Sequence, residues 1–141
     1  MPRALKEECG VFGVIGTADA AALTALGLHA LQHRGQEAAG IASFDGERFH
    51  TERHLGLVSD QFSDQDTLDR LNGVAAIGHT RYSTQGDTVI RNVQPLYADL
   101  ARGGIAIAHN GNLTNARTLR SELERAGCIF QSTSDSELFL Q

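Results

Sequence analysis

Glu7-Glu8-Cys9-Gly10-Val11-Phe12-Gly13-Val14-Ile15-Gly16 sets a cysteine at the head of a short apolar, β-branched run. The run is bounded by charge on one side and glycine on the other, so it predicts a strand, and its continuous apolar character predicts burial on both faces. Cys9 then stands at the leading end of that strand, with two readings open. It is a small buried hydrophobe, as free cysteines commonly are, or it is a reactive thiol. The groups that the rest of the chain can bring to this strand end decide between them.

Composition narrows the classes. A chain of 141 residues fits one domain with a real core. Its 41% hydrophobic and 21% charged residues, with only two prolines, read as folded and globular rather than as a linker. A net charge of -5 and the lack of any lysine or arginine run give no electrostatic footprint for nucleic acid or an anionic membrane. Small molecules or proteins are the expected partners. Cys9 and Cys128 make neither a disulfide framework nor a metal-ligand spacing, so no metal is expected and a reducing cytoplasm fits. No signal-peptide pattern and no stretch of eighteen apolar residues appears, so neither export nor a membrane span is expected.

Beyond the first strand, Thr17 is placed to cap a helix over 18–32 that carries Leu23, Leu26 and Leu31 and packs on a sheet. Residues 38–44 and 48–53 read as a hairpin turned at Asp45-Gly46. Residues 59–73 read as polar surface with one or two helical turns. A strand over 74–79 leads into Gly78-His79-Thr80-Arg81-Tyr82-Ser83-Thr84-Gln85-Gly86, polar groups just beyond a rigid support. Residues 96–100 and 104–108 pair, and the second leads into His109-Asn110-Gly111-Asn112-Leu113. An amphipathic helix over 115–126 stops at Gly127. Ile129 and Phe130 suggest a short strand, and Ser134-Asp135-Ser136-Glu137 has the spacing of a capping box. The chain stops at Gln141 before that last helix buries an apolar face, and reads as cut short. Mixed strands, hairpins and helices without βαβ alternation predict an α+β layered domain.

Three predicted strand ends present groups with chemical possibilities. Arg81 is a surface ion-pair residue or a fork for a carboxylate. Asn110-Gly111 is a turn, or an oxyanion hole built from a side-chain amide and a backbone N–H. Asp135 is a helix N-terminal acid or an anchor for an ammonium group. His79 and His109 are structural histidines or bases for Cys9. No phosphate-binding glycine loop is present. Nucleophilic chemistry at Cys9 remains, and if the first eight residues were removed, the α-amine of Cys9 would itself serve as the base.

Five motifs in one order, Cys9 to Gly13, Leu31 to Ile41, Gly78 to Thr84, His109 to Leu113 and Thr133 to Glu137, resemble the class II glutamine amidotransferases. The resemblance implies an N-terminal-nucleophile hydrolase fold, a four-layer αββα sandwich, here truncated. It implies that Cys9 attacks the glutamine side-chain amide, that Asn110 and Gly111 form the oxyanion hole, and that Arg81 and Asp135 bind the substrate α-carboxylate and α-ammonium. Thr84 falls in the matching glutamine loop, and Arg34 and Gly35 in a loop beside the nucleophile. Residues 1–8 are similar to the propeptide of one branch, and 9–141 to an incomplete type 2 amidotransferase domain.

Leu31 to Gln36 and Arg81 to Gln85 look like the branch that passes ammonia from L-glutamine to phosphoribosyl pyrophosphate in purine synthesis, rather than the hexosamine-forming branch. For that branch the resemblance implies a C-terminal phosphoribosyltransferase domain absent here. Magnesium, any iron–sulfur cluster and the phosphoribosyl pyrophosphate site would belong to that missing part, in a homo-oligomeric parent enzyme. The alternatives are an inactive remnant or binding module, or an amidotransferase with another acceptor such as a hexose phosphate.

Overall fold

Every strand pairing among the described residues is antiparallel. The computed structural model describes residues 8–82 and 88–141. Strands β1 (Gly10–Ile15), β2 (Ala38–Phe44), β3 (Phe49–Leu55) and β4 (Ala75–Arg81) form one sheet in the order β1-β4-β2-β3. Strands β5 (Leu96–Leu100) and β6 (Gly103–Ile107) form a second. Helix α1 (Ala20–Ala30) follows β1, the short α2 (Val58–Gln61) and α3 (Gln65–Arg70) follow β3, and α4 (Ala116–Arg125) follows β6.

Residues directly opposite in register share a face. Phe12, Val14, Gly78, Ala76, Ala39 and Ile41 are matched in this way, and α1 lies on their side of the sheet. The approach is close enough that a Cβ on Gly78 would sit 2.6 Å from Leu28 Cδ1 and one on Gly27 would sit 2.5 Å from the Phe12 ring. Ala20, Ala21, Ala25 and Leu28 of the helix thus close over Ala39, Ile41 and Ala76, with Val58, Phe62 and Leu71 completing the core. Burying Leu28 or Ile41 stabilises the fold by roughly 1.5–3 kcal/mol each. The second sheet lies on the opposite side. A Cβ on Gly40 would fall 2.2 Å from the Gln94 carbonyl oxygen, and one on Gly104 would fall 2.9 Å from the Phe49 ring. A 3-10 turn at Asp135–Leu140 packs on β5 and β6, and α4 packs on that turn. Helix, sheet, sheet and helical layer follow one another in the expected αββα order.

Several local expectations change. Among the described residues β1 is an edge strand, paired only with β4, and Ile15 is 85% exposed, so the strand is not buried on both faces. Thr17 does not cap α1 directly; its hydroxyl accepts the N–H of Asp19, which holds the N-cap position. The 59–73 segment does form two short helices, but Phe62, Thr67 and Leu71 are buried rather than surface. Ile129 and Phe130 form no strand. Ser134 accepts the Ser136 N–H, while Glu137 turns away to accept from the Gln131 and Ser132 N–H groups, so the expected capping box is not made and the segment is 3-10.

Candidate active site

β4 runs two residues further than the sequence suggests, through Thr80 and Arg81, because it is paired on both sides and its polar residues find partners there. Thr80 Oγ1 accepts the Gly10 N–H at 3.1 Å, fixing the start of β1 beside the end of β4. Cys9 therefore reaches Tyr82. Its Sγ donates to the Tyr82 carbonyl at 3.5 Å and accepts the Tyr82 N–H at 3.4 Å. Both partners are backbone atoms, so the sequence carries no side-chain signal for Tyr82.

Two distant segments converge on the Cys9 carbonyl oxygen. Asn110 Nδ2 donates to it at 2.7 Å and Arg34 Nε at 3.2 Å, and Arg34 Nη2 pairs with Glu8 Oε2 at 3.0 Å. Arg34 gets there because the chain leaves α1 through a 3-10 turn at Gln32–Arg34 and then lies flat against β4. Gly35 makes that approach possible: a Cβ would stand 2.8 Å from the Arg81 carbonyl carbon. Asn110 arrives from the end of β6. Its neighbour His109 is tied down by an N–H donated to Gln94 Oε1 at 2.6 Å and by Nδ1 against Ser136 Oγ at 3.2 Å. Gly111 comes next at φ +137°, a conformation open to glycine and strained for other residues.

Arg81 ends β4 with Nη1 at 3.4 Å from the Asn92 carbonyl oxygen, and its buried Nε has no hydrogen-bond partner among the described residues. The residue is half-buried, and a guanidinium with a buried nitrogen so poorly paired is suited to an anion. Asn92 joins it to the C-terminal segment, donating from Nδ2 to Thr133 Oγ1 at 2.8 Å and accepting the Thr133 N–H at 3.0 Å. Asp135 is close behind, with Oδ2 accepting the Leu113 N–H at 2.7 Å. The motifs of the sequence do not single out Asn92 and Gln94, although two amides flanking Val93 ahead of Pro95 are unusual enough to mark them.

Among the described residues neither histidine hydrogen-bonds to Cys9. His79 is 1% exposed, and burial, with the Arg81 charge second, lowers its pKa to about 4. His109 is occupied by Ser136 and the Phe139 ring. Thr84 lies outside the described residues. Among the described residues no three His, Cys, Asp or Glu side chains are grouped to hold a metal ion.

The family model of a glutamine amidotransferase domain matches residues 79–141. The chain superposes on a solved allosteric regulatory enzyme of purine biosynthesis with a TM-score of 0.86 and 46% identity, covering 92% of this chain and 28% of that one. A Bacillus subtilis glutamine phosphoribosylpyrophosphate amidotransferase gives 0.83 and 45%, again over 92% and 28%. Fold and cysteine site together define the N-terminal-nucleophile class of glutamine amidotransferases. Amidophosphoribosyltransferase from Rhizobium etli is 67% identical over 136 residues, 96% of this chain and 27% of that protein. Its namesake from Lacticaseibacillus casei is 54% identical over 139 residues, 99% of this chain and 72% of that protein. The chain belongs to the amidophosphoribosyltransferase family, and spans little more than a quarter of the Rhizobium etli relative.

Proposed function

We infer that the chain hydrolyses glutamine at Cys9 and supplies the ammonia half of an amidophosphoribosyltransferase. The observation that carries this is the convergence of Asn110 and Arg34 on Cys9 from 101 and 25 residues away in sequence. In the reaction the Cys9 thiolate attacks the glutamine side-chain carbonyl carbon, and the oxygen takes up negative charge. Asn110 Nδ2 and the Gly111 N–H receive that charge. Collapse of the intermediate breaks the C–N bond, with a proton passed from the Cys9 α-ammonium to the departing nitrogen, and leaves a γ-glutamyl thioester and ammonia. Water then cleaves the thioester to glutamate and free thiol. The Arg81 guanidinium, whose Nε has no partner among the described residues, suits the substrate α-carboxylate, and Asp135 its α-ammonium; Arg34 and Gly35 hold the nucleophile's main chain.

The α-amine of Cys9 is available only once residues 1–8 are gone, so the Glu8–Cys9 bond is the processing site of a precursor. The acceptor is phosphoribosyl pyrophosphate, handled with magnesium by a further domain of a homo-oligomeric, cytoplasmic enzyme, and any iron–sulfur cluster belongs to that further part. The test is ammonia release from L-glutamine by the processed chain. Release abolished by Cys9→Ala and by Asn110→Ala is expected; equal release by Cys9→Ala would overturn the reading.

A further inference from the structure

Asn92 stands in none of the motifs, yet it is 5% exposed and both ends of its side-chain amide are used. It closes the 3-10 turn Ile90–Asn92 ahead of β5. Nδ2 donates to Thr133 Oγ1 at 2.8 Å, and Oδ1 accepts the Thr133 N–H at 3.0 Å. A buried amide satisfied at both ends stiffens the segments it joins. The main chain is held from the other side, where the Asn92 carbonyl oxygen faces Arg81 Nη1 at 3.4 Å and the Val93 carbonyl oxygen accepts from Arg53 Nη1 at 3.2 Å. The loop that carries Thr133 is knotted within itself. Glu137 accepts the Gln131 and Ser132 N–H groups and the Ser132 hydroxyl, so residues 131–137 behave as one piece with Asp135 inside it. Other ties of this loop run elsewhere: Asp135 to the Leu113 N–H, Ser136 to His109, and the Ser132 carbonyl to Arg120 of α4. Among these contacts, the Asn92 pair is the one that leads to Arg81.

We propose that Asn92 is a positioning residue for substrate recognition: it holds the Arg81 guanidinium and the Asp135 loop in one fixed arrangement, so that the site takes a free α-amino acid by both charges of its head group at once. The proposal rests on the reading of Arg81 and Asp135 as the anchors of the α-carboxylate and α-ammonium. Those two charges sit on one carbon atom and form a short, rigid pair. Counter-charges match such a pair at little cost only when their own spacing is set beforehand. A looser arrangement still attracts either charge alone, and so loses preference for the substrate that carries both. The head group is remote from the bonds that change, so its binding is the same in the ground state and the transition state and is read in KM rather than in kcat.

The test uses the processed chain with Asn92→Leu, which keeps the branched shape and removes both hydrogen bonds, and with Thr133→Val, which removes one of them at an exposed position. Three amides are compared: L-glutamine, glutaramate, which lacks the α-ammonium, and 4-aminobutanamide, which lacks the α-carboxylate. Asn92→Leu is expected to raise KM for L-glutamine about 10-fold with kcat within about twofold, and to narrow the preference for L-glutamine over both one-charge amides. Thr133→Val is expected to raise KM about threefold, and Thr133→Ser, which keeps the hydroxyl, to restore most of it. Alkylation of Cys9 by iodoacetamide, which has no head group, should stay within about twofold in every variant. An unchanged KM in Asn92→Leu, a loss confined to kcat, a KM that rises in equal proportion for all three amides, or a Thr133→Ser variant no better than Thr133→Val would each overturn the proposal. If Asn92→Leu does not fold, Thr133→Val decides, and an unchanged KM and preference there overturn it. If the wild-type chain releases no ammonia, the hydrolytic reading fails instead, and positioning is read from binding. The L-glutamine concentration that protects Cys9 from iodoacetamide should then rise about 10-fold in Asn92→Leu; equal protection, or none in the wild-type chain, overturns it.

Discussion

The two faces of the four-stranded sheet are built on opposite terms. Toward α1 the sheet shows Ala39, Ile41 and Ala76, and the helix closes them off with alanines and Leu28 so that each is less than a tenth exposed. Toward β5 and β6 the same strands show Arg81 and His79 at one end and Gly13, Ile15, Ala42, Phe44, Ala75 and Ile77 at the other, where an apolar cleft of about 330 Å³ stays open as far as Ala106. The difference is instructive: a close-packed face gives rigidity, with Thr24 Oγ1 its one unsatisfied buried side-chain group among the described residues, and the face behind it holds the ionisable groups Arg81 and His79, which that rigidity keeps in place. A guanidinium without a partner at Nε and an imidazole without well-formed bonds among the described residues persist because the strand carrying them is paired on both sides.

Exchanging large for small on the closed face should give the largest loss of stability. Leu28→Ala leaves a cavity between α1 and Gly78 and should cost about 2–5 kcal/mol in urea unfolding, with kcat per folded molecule unchanged. A drop in kcat on folded protein would mean that the two faces are not separable.

On the other face, His79 makes stability depend on pH. Its folded pKa of about 4 lies below the unfolded value of 6.5, so between those limits the unfolded chain binds a proton that the folded chain does not. Stability is therefore complete above pH 6.5 and lost as the pH falls toward 4, by roughly 3 kcal/mol. Denaturant midpoints measured across that range should flatten in His79→Leu, and an unaltered slope would show that another group carries the effect.

Smaller effects belong to the periphery. Burial pushes the Glu52 carboxyl up, but the hydrogen bond and charge of Arg70, together with those of His54, hold it below its ordinary range. Arg70→Ala should raise the Glu52 pKa, visible in a carboxyl NMR titration, with little loss of stability because Arg70 is half exposed. Ile15→Thr, at the solvent end of the open face, should change stability by no more than about 0.5 kcal/mol. A larger loss would mean that the cleft is closed in solution.

How far the sequence reveals this arrangement depends on the kind of feature. Cys9, Arg34, Gly35, Arg81, Asn110, Gly111 and Asp135 all stand in motifs with a residue type suited to a task, and so they are legible. Strand order is not: the apolar run of β1 reads like a central strand, yet among the described residues it lies at an edge, because which strand pairs with which is decided by contacts some 70 residues apart. The end of β4 reads as loop because Thr80 and Arg81 are polar, and only the Gly10 N–H opposite Thr80 explains why they stay in the sheet. Ser134 and Glu137 have the right spacing for a capping box, but Glu137 finds better donors in Gln131 and Ser132. Backbone partners such as Tyr82 leave no trace in residue identity.

The most direct measurement is covalent capture. The processed chain, treated with the glutamine analogue 6-diazo-5-oxo-L-norleucine and mapped by peptide mass spectrometry, should carry one adduct, at Cys9 and not at Cys128, blocked by L-glutamine and slowed about 100-fold or more in Asn110→Ala. Equal labelling of Cys9 and Cys128, or labelling indifferent to glutamine, would contradict the assignment of this site as a glutamine-hydrolysing centre.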